Sequence, residues 1–453
     1  MRKMRVLTTL ILLLGVFYVV YEYTPLIKRN TITVVVKQPK KFFSRYLDID
    51  ISDKSAGIRK ISVKIISLNT VIDLYNKTIG DNFVKHFRVK FKTNKVIPDG
   101  KATLVVEVTD YSKSNFMSGF HRIVKIPVIV DTKRPIVHLL SGISRIRITG
   151  TALAIFTASD PNLKEVYVGV SHDGIVDKFK AYNAESVFHR KDVYISFFTY
   201  RLSKERNYST NIYAIDKAGN ITRVHIPVYY TRLRIRKRKI NITDEFIKSK
   251  VLTIMQNMNV PQKATLLDDF LYVNDVERKK DAMRIRKICS KSEPRFLWHG
   301  RFEQLRDSKV TATFADKRYY YYKGKLVDIK YHMGYDLASI QNAKVNAANS
   351  GRVIFEGYLG VYGNTLIIDH GFGVFTLYGH LSEFLVRVGD SVTKGQYVAI
   401  TDTTGLAGGD HLHFDVLIDG YYANPIEWWD RHWIKTHITD VIREARTRLS
   451  LLE

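Results

Sequence analysis

Short runs of β-branched residues dominate the first half of the chain. From about residue 30 to 230 these runs often alternate with polar positions, and polar or glycine-containing turns separate them. A period of two places every second side chain on the same face, which is typical of half-buried strands. We therefore expect strands at 31–36, 61–65, 102–108 and 166–170.

This strand-rich region contains an internal repeat. Two aspartates that sit in turns, and one Ile-Pro-Val segment, recur at offsets of 107, 106 and 100 residues. A period of that length fits one β-sandwich domain that occurs twice. The corresponding positions are Asp53 and Asp160, Asp110 and Asp216, and 126–128 and 226–228.

The turn and junction sequences of the repeat resemble bacterial immunoglobulin-like modules. The similarity is carried by the Asp-Lys-Ala-Gly-Asn turn at 216–220, the Ile-Pro-Val segments and the junction at 130–135. It implies two tandem immunoglobulin-like β-sandwiches, over 30–133 and 134–239. Such modules usually serve as spacers or adhesive surfaces, and the fold alone does not give a function.

Helical periodicity replaces alternation after residue 239. Ile247, Val251 and Ile254 recur at helical spacing, and Thr243 or Asp244 can cap the first helix. We expect two or three helices in a short helical linker at 240–295, and a C-terminal helix at 436–453. The run at 231–239 holds six basic residues and no acidic one. It fits a solvated strand end or linker, or a patch that contacts anions.

An apolar run near the N-terminus predicts a membrane anchor or signal segment at 1–29. Three basic residues within Met1–Arg5 precede a charge-free stretch from Val6 to Tyr21. Its length lies between a secretory core and a spanning helix, and no small-x-small cleavage site follows. We expect an uncleaved anchor in the cytoplasmic membrane with the bulk extracytoplasmic (periplasmic), in a bacterial cell envelope. A cleaved signal and a buried core helix are the alternatives.

Charge and cysteine content narrow the function classes. The formal net charge of +27 favours a polyanionic partner such as nucleic acid, anionic lipid or an acidic wall polymer. An extracytoplasmic location removes nucleic acid. Cys289 is the only cysteine, so an internal disulfide and a cysteine metal cluster are both excluded. We expect Cys289 to be a buried apolar residue.

Two histidine motifs in the last third of the chain suggest metal chemistry. His332 and Asp336 form an HxGxD arrangement, and imidazole with carboxylate suits zinc. His411 and His413 alternate with apolar residues on a predicted strand with one apolar face, so both project from the other face. A third ligand from that strand would complete a three-ligand site with an open position, which is typical of catalytic zinc. Each motif alone is common by chance.

Joint occurrence with Leu-Tyr-Gly-His380-Leu makes the pattern specific. Together the motifs strongly resemble the M23 (LytM-like, lysostaphin-type) zinc metallopeptidase family, from about Thr313 to Trp429. The similarity includes 345–353, 362–371 and 388–396, in order. The segment 313–318, which ends at Arg318, resembles the family's FGxR motif, but Ala315 stands where that motif usually has glycine. This departure concerns only the conformation of a loop.

The resemblance implies that His332, Asp336 and His413 bind Zn²⁺ and that His380 and His411 are the catalytic pair. His411 would deprotonate or orient the attacking water, and His380 would stabilise the oxyanion or protonate the leaving amine. It also implies a zinc metalloendopeptidase that hydrolyses peptide bonds in peptidoglycan, in stem or cross-bridge peptides. We expect His370 to be a structural turn residue.

The expected architecture is mainly β, with an antiparallel-β M23 domain over 296–435 after the sandwiches and the linker. A non-catalytic wall-binding or hydrolase-activating protein of the same fold is the alternative. An adhesin built on the β-sandwiches would leave the histidine motifs unexplained. The sequence leaves open which bond is cut, whether the linker is inhibitory, and the oligomeric state.

Overall fold

The computed structural model describes residues 11–19, 31–68, 70–80, 84–112, 118–202, 207–231 and 233–451. It divides into two compact units. The first comprises Met1–Pro135, Asp160–Lys164 and Ile215–Ile221, and the second comprises Ile136–Ser159, Glu165–Ala214 and Thr222–Glu453.

The expected membrane anchor falls largely outside the described residues. Residues 11–19 are helical, and 1–10 and 20–30 are not described. Within the described ranges, no helix has the length and apolar character needed to cross a bilayer. The anchor stays a prediction.

The first unit is built from strands whose apolar faces form one core. Ile49, Ile61, Val63 and Leu104 are fully buried in it, as alternation along their strands predicts. The sheets have the orders β1-β3-β6 and β2-β8-β7-β4-β5. The strands are β1 (Ile32–Gln38), β2 (Phe42–Phe43), β3 (Tyr46–Asp53), β4 (Ile58–Ser67), β5 (Thr70–Thr78), β6 (His86–Lys92), β7 (Gly100–Asp110) and β8 (His121–Val130).

The next ten strands form two four-stranded sheets and one short pair. Their orders are β14-β15-β11-β9, β13-β12-β16-β17 and β10-β18. The strands are β9 (Ile136–Leu139), β10 (Ser144–Arg147), β11 (Thr151–Ser159), β12 (Leu163–His172), β13 (Ile175–Lys180), β14 (Tyr182–Asn183), β15 (Val193–Thr199), β16 (Ser209–Asp216), β17 (Ile221–His225) and β18 (Val228–Thr231), with helix α1 (Glu185–Phe188).

Two features occur in both strand sets. The pairs β2–β8 and β10–β18 are parallel. Asp110 and Asp216, which correspond in the repeat, each accept a backbone N–H from the turn that follows, at Ser112 and Asn220 respectively. The chain is mainly β, as expected, and the immunoglobulin-like assignment stays a prediction.

Two helices pack on the C-terminal sheet and share its core. Helix α2 spans 244–257 and helix α3 spans 266–288, each with a π-helical middle turn, at Ile247–Val251 and Tyr272–Glu277. Thr243 caps the first by accepting from Phe246 N. The helices contribute buried side chains to one cluster with the sheet, among them Val251, Phe270, Ile285, Cys289, Leu377 and Leu417.

The C-terminal sheet is antiparallel, with the main order β20-β23-β30-β27-β26-β25-β28. Outside it, β19 pairs in parallel with β21, which pairs with β22. The strands are β19 (Lys237–Ile242), β20 (Lys309–Ala312), β21 (Lys317–Tyr322), β22 (Lys325–Tyr331), β23 (Tyr335–Ala338), β24 (Lys344–Asn346), β25 (Gly351–Tyr358), β26 (Asn364–Asp369), β27 (Val374–Phe384), β28 (Ser391–Val392), β29 (Tyr397–Thr401), β30 (Leu412–Ile418) and β31 (Tyr421–Ala423). Helix α4 (Pro425–Trp429) and helix α5, over 431–450, follow.

Candidate metal centre

Strand β30 lies between β23 and β27, and their register brings the candidate residues together. Asp336 of β23 is directly opposite His413, and Gly379 of β27 is opposite His413 on the other side. Opposed residues on neighbouring strands have Cβ atoms about 5 Å apart, so their side chains can share one site. His380 follows Gly379, and His411 precedes His413 by two positions.

Three of the candidate ligands meet at a single point. Nε2 of His332 lies 3.1 Å from Nδ1 of His413 and 2.9 Å from Oδ1 of Asp336. Nδ1 of His413 lies 3.0 Å from the same carboxylate oxygen. All three residues are buried, and their ligand atoms form one potential metal-holding group.

The hydrogen bonds that the two imidazoles make to residues outside the cluster determine which ring nitrogen carries a lone pair towards the other ligands. Nδ1 of His332 donates to the carbonyl of Thr313 (3.2 Å), so Nε2 carries the lone pair of the neutral ring. Nε2 of His413 donates to Oδ1 of Asp415 (3.0 Å), so in the neutral ring Nδ1 carries the lone pair. Two lone pairs and a carboxylate oxygen therefore face each other and need a cation between them. Three protein ligands of these types fit zinc with a coordination position left open.

The pKa values of His332, His413 and Asp336 are also shifted by burial and by their neighbouring charges. Burial lowers the pKa of His332 to about 4 despite the opposing effect of Asp336. Burial also opposes protonation of His413, but Asp415 and Asp336 together raise its pKa to about 9. Although burial favours its neutral form, the surrounding histidines hold the pKa of Asp336 well below 3.8. The carboxylates of Asp415 and Asp336 therefore favour positive charge at His413.

His380 and His411 flank the cluster. The two rings have centroids 4.8 Å apart, and Nε2 of His411 lies 3.5 Å from Oδ1 of Asp336. Each ring donates through Nδ1 to a backbone carbonyl, of Thr404 (2.7 Å) and Gly409 (2.8 Å) respectively. Burial, followed by the neighbouring His411, holds the pKa of His380 well below 6.5. In their neutral forms both rings therefore offer Nε2 as a proton acceptor.

Glycines and positive-φ residues allow the close approaches at this centre. A Cβ on Gly334 would lie 2.2 Å from Oδ1 of Asp415 and 2.6 Å from Nε2 of His413. His380 has φ 63°, a left-handed conformation that is rare for a residue other than glycine. The loop that carries Thr404 packs closely against Gly363. A side chain at Gly405 would prevent this approach, because its Cβ would lie 2.4 Å from Gly363 N.

All five residues predicted for this site are brought together, and their roles stay proposals. Sequence reasoning missed Asp415, although its place two residues after His413 puts it on the same strand face. It named Arg318 only as the arginine of the FGxR-like segment and did not predict its contact with Asp336, whose Oδ2 lies 2.8 Å from Nη2 of Arg318. Thr313 and Thr404 act through backbone carbonyls, for which the sequence holds no signal.

The surroundings of His370, Cys289 and strand β30 were also predicted from the sequence. His370 is fully buried and bonds to Ser350 O and Thr376 Oγ1, at 2.8 and 2.7 Å, which agrees with a structural role. Cys289 is fully buried, as expected. Leu412, Phe414, Val416 and Ile418 share one face of β30, as expected, and the opposite face, which carries His413 and Asp415, is buried as well.

Comparison with known proteins identifies the domain. Residues 330–425 match the model of Peptidase family M23. The DD-carboxypeptidase/endopeptidase Mpg of Neisseria meningitidis serogroup B is 40% identical over 95 residues, which are 21% of this chain and 22% of that protein. The murein hydrolase activator EnvC of Escherichia coli is 34% identical over 98 residues, 22% of this chain and 23% of that protein.

The matched segment thus spans less than a quarter of these relatives. Among solved structures, one described as a peptidase M23 from Pseudomonas aeruginosa is 16% identical in sequence, with a TM-score of 0.37. The alignment covers 63% of this chain and 95% of the chain in that structure. The family match covers His332, Asp336, His380, His411 and His413. The chain therefore contains a domain of peptidase family M23 at residues 330–425.

Proposed function

We propose that the chain is a zinc-dependent endopeptidase that hydrolyses peptide bonds in bacterial peptidoglycan. The observation that carries the proposal is the convergence of Nε2 of His332, Nδ1 of His413 and Oδ1 of Asp336 within 3.1 Å of one another. Similarity to a peptidoglycan DD-endopeptidase of Vibrio cholerae, 36% identical over 110 residues, supports peptidoglycan as the substrate class.

His332, Asp336 and His413 would hold the zinc ion. When bound, zinc supplies a Lewis acid that polarises a carbonyl and lowers the pKa of water to about 7. Asp415 and the carbonyl of Thr313 keep the two ligand imidazoles in the tautomers that present their lone pairs. Arg318 occupies the second oxygen of Asp336 and so fixes the carboxylate plane.

His411 and His380 would handle protons beside the scissile bond. Because each donates through Nδ1 to a backbone carbonyl, Nε2 is the atom that accepts a proton from the attacking water. His411 is partly exposed, with 15% of its side chain accessible, whereas His380 is buried. We assign His411 to water activation. His380, once protonated, would donate to the oxyanion or the leaving amine.

The proposal places the protein in the cell envelope, with 1–29 as its anchor. The charge-free run from Val6 to Tyr21 supports the anchor. Similarity to a peptidoglycan DD-endopeptidase and to a murein hydrolase activator supports the compartment.

A hydrolase-activating role is the second candidate, because the chain is also 34% identical over 98 residues to a murein hydrolase activator. Digestion of purified sacculi separates the two. The full chain with added zinc should release fragments with new peptide ends, chelation should abolish the release, and zinc should restore it. Binding to sacculi without new peptide ends would favour the activator.

A further inference from the structure

A cavity of about 330 Å³ opens beside the candidate metal centre and has four cationic residues in its lining, although the ammonium of Lys239 lies over the ring of Tyr321. Asp336 is its only acidic lining residue. The cationic residues come from three elements: Arg238 and Lys239 from β19, Arg278 from α3, and Arg318 from β21. A cavity of this size and charge suits a small anionic group.

Two of these cations are already paired with protein carboxylates. Nε of Arg238 lies 2.9 Å from Oδ2 of Asp316, and Arg318 binds Asp336. The Nε–H of Arg318 is buried and, among the described residues, has no acceptor. A buried donor of this kind is normally satisfied in the working state of a protein.

Arg278 differs because its partner is neutral. Its Nε donates to Oδ1 of Asn274 at 2.8 Å, and no carboxylate of the described residues lies within ion-pair distance of its guanidinium. With Nε engaged, the two terminal nitrogens remain to donate to a ligand, in the fork geometry that matches a carboxylate.

Hydrogen bonds between helix α3 and the C-terminal domain fix the position of Arg278. Asn274 is fully buried, and its Nδ2 donates to Oδ2 of Asp328 on β22 at 2.9 Å. One turn further along α3, Asp281 accepts from the backbone N–H of Val361 at 3.0 Å. These contacts fix the helix on the catalytic sheet, so the guanidinium is preorganised at the cavity wall.

We propose that this cavity binds a free carboxylate of the substrate peptide, with Arg278 as its principal ligand. The inference rests on the proposed peptidase function and deepens it, because it names a specificity: peptides with a carboxylate close to the bond that is cut. That carboxylate belongs either to the C-terminus of a stem peptide or to an acidic side chain within it.

The test compares stem peptides that are free, amidated at the C-terminus, or amidated at the side chain. Binding to the zinc-loaded full chain is measured by calorimetry in a His411→Ala background, so that peptide is not consumed. We expect one amidation to weaken binding roughly tenfold, in line with a charge-assisted hydrogen bond, and this identifies the carboxylate that is read. Arg278→Gln should weaken binding of the free peptide equally and abolish the discrimination.

The neighbouring Lys279→Gln is the matched control, because Lys279 is exposed and pairs with Asp275. Arg278→Lys keeps the charge but loses the two-pronged donation, so it should give a smaller loss of affinity should Arg278→Gln disturb the helix. Equal affinity for all three peptides, or discrimination that survives in Arg278→Gln, would overturn the inference. Cleavage of sacculi is measured separately. Cleavage without carboxylate dependence removes this inference alone, whereas carboxylate-dependent binding without cleavage removes the proposed hydrolase and leaves the binding site.

Discussion

Oδ1 of Asp415 accepts a hydrogen bond from Nε2 of His413 at 3.0 Å, and both residues are buried on the same face of one strand. This bond leaves Nδ1 of His413 directed at Asp336 and His332. A carboxylate behind a ligand imidazole raises its basicity and fixes its ring. In the proposed function, Asp415 would prepare the zinc site without supplying a ligand to it.

Asp415→Asn should weaken zinc binding by about 10- to 100-fold, the usual cost of losing such a partner. The amide keeps the volume of the carboxylate but removes its charge. Competition with a chromophoric chelator measures the affinity. Asp390→Asn, at an exposed carboxylate in the same domain, is the control. Unchanged zinc affinity in Asp415→Asn would contradict this account of the strand.

Gly405→Ala should impair catalysis while leaving metal binding largely intact. Gly405 has φ 68°, and an added Cβ would press on Gly363 and displace the adjacent Thr404, whose carbonyl orients His380. We expect kcat to fall at least about tenfold through the loss of a positioned proton acceptor. Gly80→Ala, in the first unit, where a Cβ meets nothing within 4 Å, should behave like the parent protein. Equal activity of the two variants would rule out this role for the loop.

Ala315→Gly should stabilise the protein slightly. Ala315 is fully buried with φ 63°, and its N–H donates to the carbonyl of His332 at 2.7 Å. The left-handed conformation costs an alanine about 1–2 kcal/mol, and the greater freedom of glycine in the unfolded chain offsets part of the relief. A net gain of up to about 1 kcal/mol should raise the midpoint of thermal unfolding. A lowered midpoint would show that the loop is not strained.

Glu427 should make stability fall as the pH rises. Burial raises the pKa of Glu427 from 4.5 to about 7 in the folded protein, although its carboxylate accepts from Thr151 N at 2.8 Å. The folded state then binds more protons than the unfolded state between these values, so stability declines from about pH 4.5 to 7 and is flat above. At about 1.4 kcal/mol per tenfold change in proton affinity, the decline amounts to about 3.5 kcal/mol.

Thermal unfolding from pH 5 to 8 at constant ionic strength measures this decline. Glu427→Gln cannot ionise and should show a shallower pH dependence than the parent, whereas the exposed Glu444→Gln should not differ from it. Parallel curves for Glu427→Gln and the parent would mean that Glu427 does not carry the effect.

Local sequence patterns predicted much of the candidate site. The remaining features depend on how distant strands and helices pair and pack. The alternation at 411–418 placed His411 and His413 on one strand face because strand side chains have a period of two. Asp415 was accessible to the same argument. The left-handed conformation of His380 was not, since it arises where its strand pairing is irregular. Arg278 lies in a segment with only helical periodicity, and its place at the cavity follows from how α3 packs on the sheet.

The most direct test of the central claim ties hydrolysis to the metal centre. Sacculi are incubated with the zinc-loaded full chain, with His413→Ala, and with His299→Ala, whose histidine is exposed outside the centre. Released fragments are identified by mass spectrometry, and bound zinc is quantified in the same samples. The account predicts that the parent and His299→Ala hold one zinc ion in this centre and release the same new peptide ends, and that His413→Ala loses both. Fragment release by His413→Ala at the parent rate would contradict it.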